Sequence, residues 1–292
     1  MIRSVGFNAR AMAFALLLTA PVAGGLAAQV FAGDAQYAKR ATGARGAQAQ
    51  AGPIDAAIAA YNAALAQNGN DVVAHARLLR ALRFKGAYVA QTNEEKREVY
   101  GTAKTVGERA LASVGRALAA RGVKASASEK AVAAALRNVP GAADVYLWDA
   151  VNWGEWALAY GKFAAARQGA ADHIRRNAMI AHLADPKLEG GAPSRVLGRL
   201  YDQTPRIPFL TGWASPKEAV RFLNESVSHD PANKLTLLFL AEAMVAHDAS
   251  SKKEAVELLN RVIHTAVDPA YAVEDAAAQA DARRILESWR TR

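Results

Sequence analysis

Three nine-residue segments of this chain align without a gap: AIAAYNAAL from Ala57, AVRFLNESV from Ala219 and AVELLNRVI from Ala255. Each opens on alanine, continues with isoleucine or valine, and sets tyrosine or leucine at the fifth place. Asparagine follows at the sixth place (Asn62, Asn224, Asn260) and an aliphatic residue at the ninth. Apolar residues at i, i+1, i+4 and i+8 lie on one face of an α-helix. The same helix face, recurring at distant points in a chain, calls for similar units that stack and bury their apolar sides against one another. Composition supports helices alone. Hydrophobic residues make up 52% of the chain, much of that is alanine, and runs rich in Val, Ile, Thr and Tyr are nearly absent. Alanine is the strongest helix former and lets helices approach closely.

The second and third copies run into Asp230-Pro231 and Asp268-Pro269. Proline stops one helix and can open the next at its first turn. Small Ala219, bulky Leu223, small Ser226 and terminating Pro231 have the spacing of the second helix of a tetratricopeptide repeat. The first copy keeps Ala57, Tyr61 and Ala64, with Gly69 in the place of proline. The third keeps Ala255, Leu259 and the larger Val262, with its stop two residues late. Ser215, Pro216 and Glu218 read as a capping box with proline at the first helical position. The periodicity predicts helices over about 53–67, 71–86 (capped by Asn70-Asp71), 94–121, 126–138, 143–166, 168–183, 193–203, 215–229, 232–247, 250–266 and 271–290. The expected fold is all-α: antiparallel helical hairpins stacked as a tetratricopeptide-like solenoid or bundle.

The N-terminus reads as an export signal over residues 1–32. Arg3 and Arg10 form a basic start, AMAFALLLTAPVAGGLAA is an apolar stretch broken by Pro21, Gly24 and Gly25, and VFA ending at Ala32 is a cleavage site. LAA ending at Ala28 is a second choice. The expected location is periplasmic, with no further segment approaching a membrane span. Residues 33–52, rich in Gly, Ala and Gln, read as a flexible leader, and 53–292 as the helical domain. The chain has no cysteine, which excludes disulfides, Cys-ligated zinc, a thiol nucleophile and a lipid anchor on cysteine. The formal charge of +9 falls to about +7 without Arg3 and Arg10. Its Lys and Arg residues are dispersed, so they read as solvated helix faces, with no nucleic-acid partner expected.

No catalytic constellation is present. His75, His173, His182, His229, His247 and His264 are scattered without metal-ligand spacing, and there is no nucleophile elbow or phosphate loop. The chain is expected to be no enzyme and to use no cofactor or metal. The most unusual segment is DVYLWDAVNWGEWALAYGKF, from Asp144 to Phe163. At helical spacing, aromatic residues take one stripe and Leu147, Val151, Gly154, Leu158 and Gly161 a second, so the helix is expected to be buried. Its aromatics are either core or the wall of a ligand pocket. The candidate ligand residues are Trp148, Asp149, Asn152, Trp153, Glu155 and Trp156, with Arg195 and Tyr201.

The segments ADVYLWDAVNWGEWALAYGK, VGERALASVGRAL and LEGGAPSRVLGRLYDQTPRIP resemble the T-component family of tripartite ATP-independent periplasmic transporters. The shared features are Gly190-Gly191-Ala192, then Arg195, Leu197, Gly198, Leu200 and Tyr201, then Pro205. The resemblance implies an all-helical protein with cryptic tetratricopeptide-like repeats. It also implies an oligomer and a periplasmic solute-binding protein as partner. Many members of that family carry a cysteine at the mature N-terminus, and this chain does not. The alternative expectation is a general periplasmic scaffold of tetratricopeptide type, serving envelope protein assembly.

Overall fold

The structure, a computed structural model, describes residues 22–124, 126–208 and 211–291. The described residues form helices α1 (Val22–Ala38), α2 (Ala51–Gln67), α3 (Val72–Tyr88), α4 (Asn93–Ala119), α5 (Glu129–Leu136), α6 (Ala142–Tyr160) and α7 (Lys162–Arg167). They continue through α8 (Ala170–Ala184), α9 (Leu188–Gln203), α10 (Pro216–His229), α11 (Lys234–His247), α12 (Lys252–His264) and α13 (Ala272–Arg290). Among the described residues no strand occurs, only one isolated bridge between Arg45 and Gln48.

The helices pair in sequence order. α1 packs along α2, α3 along α4, α6 along α8, α9 along α10, and α11 along α12. The second helix of each pair also packs on the first helix of the next, and α12 packs on α13. The first helices of successive hairpins (α3, α6, α9, α11) and then α13 touch their neighbours in turn, so they form one layer and the second helices form the other. The chain is an all-α, tetratricopeptide-like stack of helical hairpins.

The three aligned segments are the second helices α2, α10 and α12. Their first, fifth and eighth residues have no exposed surface in any copy: Ala57, Tyr61, Ala64; Ala219, Leu223, Ser226; Ala255, Leu259, Val262. The bulky fifth residue presses on the partner helix where that helix has no side chain. A Cβ on Gly33 of α1 would lie 2.4 Å from the Tyr61 ring, and one on Gly198 of α9 would lie 2.5 Å from Leu223 Cγ. Both glycines are therefore needed for hairpin closure. The shared asparagines are exposed, and nothing in the structure explains them.

Capping follows the sequence closely. Asp71 accepts a hydrogen bond from the Ala74 amide at 2.9 Å, and Thr92 with Glu95 makes a reciprocal capping box on α4. Ser215 caps α10, but Glu218 turns to Arg221 rather than back to the cap, so only half of the expected box forms. Asp71→Ala is expected to lower stability by about 1 kcal/mol, read as a shift of the urea midpoint without a change in the transition's slope.

Three expectations change. The segment read as a flexible leader is packed: Gly33–Ala38 is the end of α1, and Arg40 and Ala49 are buried in the turn that follows. Its Gly- and Gln-rich composition hid the few residues that hold it, namely Gly33 against Tyr61, Asp34 accepting from the Tyr61 hydroxyl at 2.7 Å, and Arg40. Of the segment read as an export signal, residues 1–21 lie outside the described residues, and the expected cut after Ala32 falls within α1. The helix expected over 143–166 is two helices, because Gly161 turns into the left-handed region at φ 94° between α6 and α7. No helix among the described residues is long and apolar enough to cross a membrane.

Candidate functional site

The layer of first helices, across which the turn after α1 reaches α13 and which is therefore the inner one, carries paired charges. On α3, Arg77, Arg80 and Arg83 recur every third residue and so share a face. Carboxylates from neighbouring inner helices meet them. Arg77 lies 3.3 Å from Asp34 on α1 and 4.0 Å from Asp144 on α6. Arg80 lies 3.3 Å from Glu189 on α9, and Arg83 3.4 Å from Glu155 on α6. Burial works against the Arg83 cation, but Tyr88 and Glu155 beside it more than offset this and raise its pKa. Arg83 sits deep in the molecule, yet 18% of its side chain remains accessible, as does 25% of Glu155. These groups therefore line a groove within the superhelix rather than a sealed core.

The groove is built with local strain. Glu189, Gly190 and Gly191 all have positive φ, at 47°, 65° and 80°. Glycine adopts this region freely, whereas glutamate does so at a cost. The left-handed turn lets Glu189 reach Arg80 and lets the straight part of α9 restart at Ala192-Pro193. A Cβ at Gly191 would lie 3.1 Å from Ser226, so the turn also seats α9 on α10.

The first and last described helices of the stack are brought together. The Arg40 side chain, in the turn after α1, lies 2.9 Å from Glu274 on α13 and donates to the Ala270 carbonyl. The same guanidinium stands 4.7 Å from the Tyr37 ring and 5.6 Å from those of Phe84 and Tyr271. Further along, α9, α11 and α13 frame a cleft of about 370 Å³, with Arg199, Phe239, Glu242, Asp281, Arg284 and Ile285 among its lining residues. Lys234 and Asp275, 2.6 Å apart and largely buried, pin α11 to α13 beside it.

The residues singled out from the sequence divide between this groove and the core. Glu155 faces the groove through Arg83, and Trp148 shares its helix face with Asp144. Arg195, on α9, lies deep beside them and donates to Thr236 Oγ1 at 3.1 Å. The others hold helices together. Asp149 Oδ2 accepts from His173 Nε2 at 2.6 Å and from Asn177 Nδ2 at 2.7 Å, while a Cβ on Gly107 would strike Oδ1 at 2.1 Å. Asp149 therefore joins α6 to α8 and α4. Asn152 donates to the Leu79 and Trp148 carbonyls. Trp153, Trp156 and Tyr201 are buried in one apolar cluster, with Trp153 4.4 Å from the His173 ring and Tyr201 5.7 Å from Phe222. The α3 arginines were not singled out from the sequence. Their three-residue spacing was visible, but it is also the spacing of an ordinary solvated helix face.

His182 lies 3.1 Å from Ser194 Oγ and 3.7 Å from Glu225, an arrangement that looks like a hydrolytic triad. Ser194 has no exposed surface, so no substrate can reach its hydroxyl. Burial holds the His182 pKa down, with Glu225 opposing. Among the described residues no three metal-ligating side chains gather.

This architecture defines a helical-repeat superhelix with a charged groove along its inner layer. Among known families, the CID domain matches over residues 209–292. The transporter T-component family does not match, which overturns the resemblance drawn from Gly190 to Pro205. The residues that carried it serve local packing here: Gly190 and Gly191 make the left-handed turn, and Gly198 admits Leu223. No curated protein matches the chain. Among solved structures, the TPR2AB-domain:pHSP90-complex of yeast Sti1 is similar with 14% identity and a TM-score of 0.27, over 90% of this chain and 97% of that one.

Proposed function

We propose that this chain is an exported, non-enzymatic helical-repeat protein that holds a segment of a partner protein in the groove of its inner layer. One observation carries the reading: charged side chains from α1, α3, α6 and α9 converge deep in the molecule and stay accessible. Buried charge is costly, and apolar residues would stabilise the same position at least as well. An inner wall of arginines and carboxylates is therefore better suited to recognition than to stability, and the concave side of a repeat superhelix is extended enough to follow a chain. The basic and apolar N-terminal residues support export.

A photo-crosslinking amino acid tests this. Placed at Trp148, it is expected to capture a protein from the extracytoplasmic fraction of the source cell, whereas at Leu158, exposed on the same helix, it is expected to capture none. Equal capture at the two positions, or capture only of cytoplasmic proteins, overturns the reading.

A further inference from the structure

We propose that Arg195 is the anion-receiving group of the groove and that it takes a carboxylate. This deepens the reading of the groove as the binding surface and rests on it.

The pairing of the arginines singles out Arg195. Arg40, Arg77, Arg80 and Arg83 each have a carboxylate within 3.4 Å, and Arg199 has Glu242 at 3.0 Å. Arg195 has no carboxylate within 4 Å among the described residues; its one hydrogen bond goes to Thr236 Oγ1. Two carboxylates in the neighbourhood are committed elsewhere. Asp230 accepts from the Ala232 amide and Asn233 Nδ2, and Glu189 from Arg80. A guanidinium has five N–H donors, so most of those on Arg195 are left for a ligand.

The surroundings deepen the deficit. Burial, and then the like charge of Arg83, pull the Arg195 pKa down to about 10, with Asp230 and Glu189 opposing. An anion beside the guanidinium would relieve both effects. Arg83, the nearest of the other arginines named, also has an Nε without a hydrogen-bond partner. The Thr236 contact anchors one end of the guanidinium and so orders it before any ligand arrives.

Charge decides the class of anion. Arg80 with Glu189 and Arg83 with Glu155 are each neutral pairs, and Asp230 offsets Arg195 only from beyond ion-pair distance, so Arg195 offers a guanidinium with no direct counter-ion. One planar guanidinium without a direct counter-ion suits a carboxylate, which it can hold by two parallel hydrogen bonds. A phosphate dianion would remain half unneutralised beside Glu155 and Glu189.

The test uses the full chain in calorimetric titrations with three probes: a capped hexapeptide of alternating Glu and Ala, free glutarate, and inorganic phosphate. The hexapeptide is expected to bind and phosphate not. Binding of the peptide without glutarate assigns the carboxylate to a partner's side chains; binding of both assigns the site to the carboxylate itself. Arg195→Met is expected to weaken binding about tenfold or more, the loss of a charge-assisted hydrogen bond, while melting temperature holds or rises because an unanswered buried charge is gone. Arg195→Lys is expected to restore part of the affinity. Unchanged carboxylate affinity in Arg195→Met, preferential binding of phosphate, or no carboxylate binding by the wild type overturns the proposal. Crosslinking at position 148 that persists unchanged in Arg195→Met overturns this assignment and leaves the groove reading intact. Arg195-dependent carboxylate binding without any captured partner does the reverse.

Discussion

Trp153→Ala is expected to lower the free energy of unfolding by about 3–5 kcal/mol, the cost of emptying a large aromatic position in a packed core. Trp153 is only 6% exposed. Its ring lies 4.4 Å from His173 and 5.6 Å from Trp156, and Lys104 Nζ stands 4.7 Å above it. Alanine would remove these contacts and leave a void between α6, α8 and the lysine on α4. Urea unfolding followed by circular dichroism measures the loss. The same substitution should leave carboxylate affinity within about twofold, because Trp153 faces away from the Arg195 side of α6 and additivity holds for separated sites. An unchanged midpoint together with lost binding would instead make the aromatic stripe a ligand wall.

Arg40→Ala is expected to cost about 3 kcal/mol, at the low end for breaking a buried ion pair by removing one partner. The side chain is 8% exposed and answers Glu274, the Ala270 carbonyl and three aromatic rings at once. Its loss leaves the Glu274 carboxylate without a counter-charge, and Glu274 Oε2 already has no hydrogen-bond partner. Arg40 joins segments 234 positions apart in sequence, so the effect should also be spatially specific. Hydrogen exchange is expected to rise in the turn at 39–49 and at the start of α13, and to stay unchanged across α6 and α8. Uniform acceleration along the chain would mean that Arg40 supports global stability and not the meeting of the two ends.

The repeat was legible because its signal is local. Ala219, Leu223 and Ser226 are spaced by helix geometry alone, and the hairpin demands small and bulky residues at those places whatever surrounds it. The Asp71 cap is likewise local, since a cap needs only its own first turn. The helix α1 was hidden by composition: a run of Gly, Ala and Gln has no apolar period, and its contacts depend on Tyr61 and Phe84 arriving from elsewhere. The groove was hidden for a related reason. Arg77, Arg80 and Arg83 form a stripe that the sequence shows plainly, but whether a stripe faces solvent or the inner wall is set by how successive hairpins turn. Asp149 and Tyr201 show the converse ambiguity. Both look like polar or aromatic groups awaiting a ligand, and each is answered by partners within the fold, His173 with Asn177 and Phe222.

The contact between Arg40 and Glu274 also bears on how such a chain can evolve. Most repeat arrays grow or shrink by whole units, because each unit touches only its neighbours and the ends are free. Here the turn after α1 and the start of α13 are committed to each other. Duplicating one hairpin would carry α13 past the turn that holds Arg40, and deleting one would leave it short. The number of units between them is thus held by Arg40 together with Val273, which is buried in the same core as α2 to α6, and variation is directed into the sequence of the inner wall rather than into the length of the stack.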